Sequence, residues 1–174
     1  MNIANKLTML RGFLIPVFLI VLYLGFPGST YVALGIFILA SITDFVDGYL
    51  ARSRNLVTDF GKFMDPLADK VLVVTAMLWF VQDGRMPAWA VAIVIFREFA
   101  VSGMRLIAVE QGRVIAAGWS GKVKTASTMV CLCLMFLPIH LWLCWVCTAV
   151  IVVTTVWSGV EYFVKNRDVF SGAM

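Results

Sequence analysis

Six apolar runs, near residues 12–27, 30–50, 66–82, 87–108, 123–138 and 140–164, take up most of this sequence. Each approaches or reaches the roughly 20 residues that an α-helix needs to cross a bilayer. Apolar residues make up 61% of the 174 positions and charged residues only 14%, which is too oily for a soluble domain of this length. No linker, low-complexity tract or repeat divides the chain, and the breaks between runs are short. The expected fold is therefore all-α, an integral membrane bundle of six transmembrane helices forming one domain over residues 1–174.

The first run follows basic residues, but Pro16 interrupts it and no small-x-small cleavage site follows, so it reads as a retained helix. Ahead of it, Asn5, Thr8 and Arg11 lie at helical spacing beside Ile3, Leu7 and Leu10, which predicts a short amphipathic helix on the membrane surface over residues 2–11. Gly25-Phe26-Pro27-Gly28 and Asp83-Gly84-Arg85-Met86-Pro87 punctuate the chain as turns.

The placement of the charges says more than their sum. Lys6 and Arg11 precede the first run, and Arg52, Arg54 and Lys62 follow the second. Arg113, Lys122 and Lys124 follow the fourth, and Lys165 and Arg167 follow the sixth, whereas the opposite loops carry only Arg85. The positive-inside rule then puts both termini and the 51–64 and 109–123 loops in the cytoplasm. Basic charge interleaved with spans in this way reflects topology and anionic lipid headgroups, and excludes nucleic acid as the partner. Without organelle-targeting features, the expected location is a bacterial cytoplasmic membrane.

Cys131-x-Cys133 and Cys144-x2-Cys147 invite a zinc or redox reading. All four lie in apolar helical sequence, where thiols act as small hydrophobes, and residues two apart on a helix face different ways. His140 stands alone beside Pro138 and receives no role.

The chemistry lies in one pattern, Asp44-x2-Asp47-Gly48-x2-Ala51-Arg52-x8-Gly61-x3-Asp65-x3-Asp69. Carboxylates among apolar helices are costly unless they hold something cationic. Spacings of three and four put Asp44 with Asp47, and Asp65 with Asp69, on single helix faces, so two neighbouring helices can share one cage. Arg52, Arg54 and Lys70 could neutralise such acids as ion pairs, but four aspartates with small residues at these offsets fit a cation site better. Hard oxygen donors without thiolate or imidazole suit Mg²⁺ or Mn²⁺, with Ca²⁺ as a possible occupant. Such a site can hold two ions roughly 3.5–4 Å apart, the clamp used in phosphoryl displacement. Gly48 and Ala51 leave room for a large ligand against the backbone, and Arg52 offers a planar donor fork for phosphate. Pro66 suits the first turn of the third helix.

This signature resembles that of the CDP-alcohol phosphotransferase family, integral membrane enzymes that pass a phospho-group from a CDP-linked donor to an alcohol. All eight fixed positions match. The resemblance implies that Asp44, Asp47, Asp65 and Asp69 ligate two Mg²⁺ ions and that Asp69 is also the general base. It further implies that Gly48, Ala51, Arg52, Thr58 and Gly61, with Asn5 near the N-terminus, line the CDP-diacylglycerol pocket, and that the protein forms a homodimer.

The signature does not name the acceptor. Arg97-Glu98 and Ser102-Gly103-x-Arg105 lie in the fourth helical pattern, and Gly121-Lys122-x-Lys124-Thr125 opens the fifth. Glu98 is placed to neutralise Arg97. Arg105, Lys122 and Lys124 sit near the same boundary as the cage and are candidates to hold an acceptor that bears its own phosphate. Together with Asn5-x2-Thr8-x2-Arg11 these blocks resemble the branch of the family that forms phosphatidylglycerol phosphate from CDP-diacylglycerol and sn-glycerol 3-phosphate, releasing CMP. Serine, inositol phosphate or phosphatidylglycerol as acceptor is the alternative within the class. A membrane cation transporter is the alternative outside it, opposed by the near absence of ionisable residues in the outer halves of the runs.

Overall fold

Where the chain stops being helical is decided by backbone hydrogen bonding as much as by hydropathy. The computed structural model describes the backbone of residues 3–53, 59–113, 115–116 and 118–171, and side chains over 12–43, 67–113, 115–116 and 118–169. Among these residues there are six long helices, one short one and no strand. In chain order they are α1 (Ile3–Leu24), α2 (Ser29–Ser53), α3 (Asp59–Gln82), α4 (Ala88–Glu110), α5 (Trp119–Met135), α6 (Leu141–Lys165) and α7 (Asp168–Ser171).

Two helix ends show why. After α3, Gly84 (φ 74°) takes the left-handed conformation, and the N–H groups of Gly84 and Arg85 return to the carbonyls of Val81 and Phe80 at 3.2 and 2.9 Å. After α4, Gly112 (φ 72°) does the same, with Gly112 and Arg113 bonded to Val109 and Ala108 at 2.9 and 2.8 Å. Both are Schellman closures, which satisfy carbonyls a helix end leaves orphaned.

Three boundaries differ from the sequence expectation. The segment over residues 2–11 is not a separate amphipathic helix, because α1 runs from Ile3 to Leu24 without a break. Gly12 is no stop when it keeps helical angles, and apolar helices absorb a proline such as Pro16. The third helix begins at Asp59 rather than near 66, so Pro66 lies inside it and not in its first turn. Backbone hydrogen bonding sets the start of the helix, whereas the apolar run starts only later. The fifth helix is displaced toward the N-terminus. Pro138 disfavours helix at the residue before it, so the apolar stretch 136–138 ends as a turn and α5 closes at Met135.

By their contacts the residues form two units, 1–77 and 78–174. In the first, α1 and α2 pack together. Phe18 and Phe37 are fully buried with ring centroids 6.3 Å apart, and Ala33 and Ala40, four residues before and three after Phe37, are buried on the same stripe of α2. Ser41 and Thr43 donate to the carbonyls of Phe37 and Leu39 at 2.7 Å, so their hydroxyls remain satisfied in an apolar helix.

In the second unit α6 packs against both α4 and α5. Ser127 Oγ donates to Thr154 Oγ1 across α5 and α6 at 3.1 Å. Arg85 closes the far end of α5 by donating from Nη1 to the carbonyl of Met135 at 2.8 Å while its Nε bonds Asp83. The four cysteines are free thiols, three of them buried, as expected for small apolar fillers. Among the described residues α6 is long and apolar enough to cross a membrane. Gly12–Leu24 and Ser29–Thr43 are shorter apolar stretches.

Candidate active site

The four aspartates fall where α2 ends and α3 begins. Asp44 and Asp47 are in the last turns of α2 with Gly48, Ala51 and Arg52. Gly61 and Asp65 are in the first turns of α3, and Asn5 is in α1. The helical backbone keeps the three- and four-residue spacings on which the shared cage rests. The side chains of all these residues lie outside the described ones, as does Thr58 altogether. Asp69 is described: it is half-buried on α3, between Ala68 and Leu72 of the core. Among the described residues no three acidic, histidine or cysteine side chains come together as a metal site, since three of the four candidate ligands are not among them. The donor set itself, four carboxylates and no sulfur or imidazole, fits a hard divalent cation.

The second unit carries a buried charge cluster. Arg97 Nη1 donates to Glu98 Oε1 at 2.9 Å, as its neighbour in sequence suggested. The same oxygen also accepts from Lys124 Nζ at 2.8 Å. The side chains of Arg97, Glu98 and Lys124 are only 13%, 18% and 8% exposed. Two cations therefore share one carboxylate oxygen between α4 and α5. Arg97 lies against α6 at Gly159, where a Cβ would stand 3.2 Å from Arg97 Cγ, so the glycine makes room for the arginine stem. Its Nε is buried without a hydrogen-bond partner among the described residues.

The three candidate acceptor-binding cations thus stand in different settings. Lys124 is buried and bound to Glu98, Lys122 is exposed, and Arg105 is exposed with its Nε donating to Tyr162 Oη at 3.1 Å. The Arg105 guanidinium carbon lies 5.6 Å from the centre of the Tyr162 ring, within cation–π range. Tyr162 also borders a 310 Å³ cavity with Arg113, Gly118, Ser120, Glu161 and Lys165. The cations around it are engaged: Lys165 bonds Glu161, and Arg113 bonds Asp168 at 2.7 Å. That hydrogen bond from Arg113 holds the Asp168 carboxyl below the usual range.

Tyr162 and Gly159 were not singled out from the sequence. A signal was present. Thr148, Thr155, Ser158, Gly159 and Tyr162 form a buried small and polar stripe at helical spacing within an otherwise apolar helix, and such a stripe faces other helices rather than lipid.

Comparison with known proteins places these residues in context. Residues 1–157 match the family model described as CDP-alcohol phosphatidyltransferase. The chain is similar to the CDP-diacylglycerol--glycerol-3-phosphate 3-phosphatidyltransferase of Bacillus subtilis (strain 168), with 44% identity covering 96% of each chain. It is 39% identical to the probable phosphatidylglycerophosphate synthase of Mycobacterium tuberculosis, over 97% of this chain and 83% of that one. A Salmonella typhimurium protein with the same name as the Bacillus relative is 40% identical over 95% of each chain.

Proposed function

The chain belongs to the CDP-alcohol phosphatidyltransferase family, and on that premise we propose that it moves the phosphatidyl group of CDP-diacylglycerol to sn-glycerol 3-phosphate. The observation that carries this reading is near end-to-end likeness to enzymes named for that transfer, at 39–44% identity. The 1-hydroxyl oxygen of the acceptor attacks the β-phosphorus, the bond from that phosphorus to the CMP oxygen breaks, and phosphatidylglycerol phosphate and CMP result. Asp69 takes the hydroxyl proton, which requires it to lie within hydrogen-bond reach of that oxygen. The four aspartates would hold two Mg²⁺ ions, or Mn²⁺ in their place, whose chemistry when bound is to neutralise diphosphate charge. Gly48, Ala51, Arg52, Thr58, Gly61 and Asn5 are assigned to the CDP moiety, and Arg105, Lys122 and Lys124 to the acceptor's phosphate, Lys124 through an ammonium already bonded to Glu98.

The donor and product carry acyl chains that stay in lipid, so the enzyme acts within the membrane. Six spans with both termini and the site on the cytoplasmic side form the matching topology. Large exposed apolar side chains support this layout, among them Phe96 (77%), Phe99 (75%) and Trp142 (62%), since surfaces of that kind are made for lipid or a partner rather than water. A cysteine introduced at residue 54 should be labelled only from the cytoplasmic side and one at residue 84 only from outside. The reverse pattern would rule out a cytoplasmic site.

CMP release by the purified protein from labelled CDP-diacylglycerol tests the reaction. It should require glycerol 3-phosphate, and a panel containing serine, inositol phosphate and phosphatidylglycerol should give little. Release with one of those acceptors alone would reassign the substrate. For the acceptor site, Arg105→Ala removes a charge-assisted contact of about 1.5–3 kcal/mol, so kcat/KM for glycerol 3-phosphate should fall roughly 10- to 150-fold. Lys122→Ala should act in the same direction. Lys124→Ala should shift acceptor use less cleanly, because its ammonium is already shared with Glu98. Unchanged dependence on glycerol 3-phosphate in all three variants would leave these charges a topological role only.

A further inference from the structure

Five basic side chains of the second unit have their charge met by a carboxylate: Arg85 by Asp83, Arg97 and Lys124 by Glu98, Arg113 by Asp168, and Lys165 by Glu161. Arg105 is held differently. Its partners among the described residues are the hydroxyl and the ring face of Tyr162, at 3.1 and 5.6 Å. A carboxylate orients a guanidinium by cancelling its charge, whereas a phenol orients it and leaves the charge in place.

The contact is also specific about which edge it uses. Tyr162 takes the Nε–H, so the Nη1 and Nη2 amino groups at the far end of the planar fork have no protein partner among the described residues. Those two groups form the end-on edge that meets two oxygens of a phosphate. The anchor is rigid. Tyr162 is 7% exposed and sits in a core cluster with Val101, Met104 and Ala108 of α4 and Val169, close to the base of the arginine it holds. A long, exposed side chain that would otherwise lose rotamer freedom on binding is already ordered.

We propose that Tyr162 is a positioning residue for acceptor binding: it fixes the Arg105 guanidinium without cancelling its charge and with its Nη edge turned to the phosphate of the acceptor. This rests on the reading above that Arg105 meets that phosphate. Among the described residues of this unit, Arg105 is ordered by a phenol rather than by a carboxylate, whereas Lys124 and Arg97 are committed to Glu98.

The test is a double-mutant cycle on CMP release with Tyr162→Phe, Arg105→Ala and the pair. Phenylalanine keeps the ring, its packing and the cation–π contact, and removes only the acceptor oxygen. Loss of one such hydrogen bond should raise KM for glycerol 3-phosphate about 2- to 12-fold, with kcat and KM for CDP-diacylglycerol nearly unchanged. Alanine has no group to donate to the phenol, so Tyr162→Phe should add nothing in the Arg105→Ala background. KM does not depend on the folded fraction, so partial unfolding would lower kcat without imitating the result. If Arg105→Ala raises KM for glycerol 3-phosphate and Tyr162→Phe does not, the positioning role is wrong and the acceptor reading stands. An equal rise from Tyr162→Phe in both backgrounds also overturns it, because the tyrosine would then act without Arg105. If Arg105→Ala itself leaves KM at the parental value, the acceptor reading fails first.

Discussion

Asp44→Asn, Asp47→Asn and Asp65→Asn should each lower CMP release by orders of magnitude while the detergent-solubilised protein elutes and melts like the parent. Asparagine keeps the size of the side chain and removes the charge, and a hard divalent cation among four carboxylates depends on that charge. Asp69→Asn should be at least as damaging, because general-base catalysis alone contributes about 10²–10⁴ in rate. The two roles separate in a binding measurement. With Mn²⁺ as the spectroscopic probe, Asp44, Asp47 and Asp65 variants should lose metal affinity. An Asp69 variant that still binds Mn²⁺ but releases no CMP would act chiefly as the base, and one that loses both would act chiefly as a ligand. Two of the first three variants working near the parental rate would end the di-metal proposal.

The helical register of these aspartates was legible because its information is local. A spacing of three or four on one helix is a face, whatever the helix packs against, and the structure keeps residues 44–53 and 59–69 helical. Helix ends marked by caps were legible for the same reason. The fourth helix, expected over 87–108, runs from Ala88 to Glu110 between Pro87 and Gly112. The sixth, expected over 140–164, runs from Leu141 to Lys165. The start of the third helix moved to Asp59 although Pro66 suited a first turn, and the end of the fifth moved to Met135, because apolarity marks the stretch suited to lipid and not the extent of backbone hydrogen bonding. The acceptor side was harder to read. Arg105 meets Tyr162 across 57 positions of sequence, and Glu98 meets Lys124 across 26. Neither pairing leaves a trace in spacing. Three basic residues that look equivalent in the sequence therefore stand in three electrostatic settings, one paired with a carboxylate, one held by a phenol and one exposed.

The shared oxygen of Glu98 makes that residue a sensitive point of the second unit. Glu98→Gln leaves two buried cations, Arg97 and Lys124, without the carboxylate that holds both. Removing one partner of a buried ion pair typically costs about 3–5 kcal/mol, because the charge left behind is desolvated and unpaired. The expected result is a large fall in the thermal unfolding midpoint in detergent, together with loss of folded protein on storage. Lys124→Met is the informative comparison. It removes a cation but leaves Arg97 and Glu98 as a neutral pair, and methionine fills much of the lysine stem's volume, so it should cost less than Glu98→Gln. The double variant Glu98→Gln/Lys124→Met, with one unpaired cation instead of two, should recover part of the loss. A parental midpoint in Glu98→Gln, or a greater loss in Lys124→Met, would mean that some group other than Glu98 carries the counter-charge for α4 and α5.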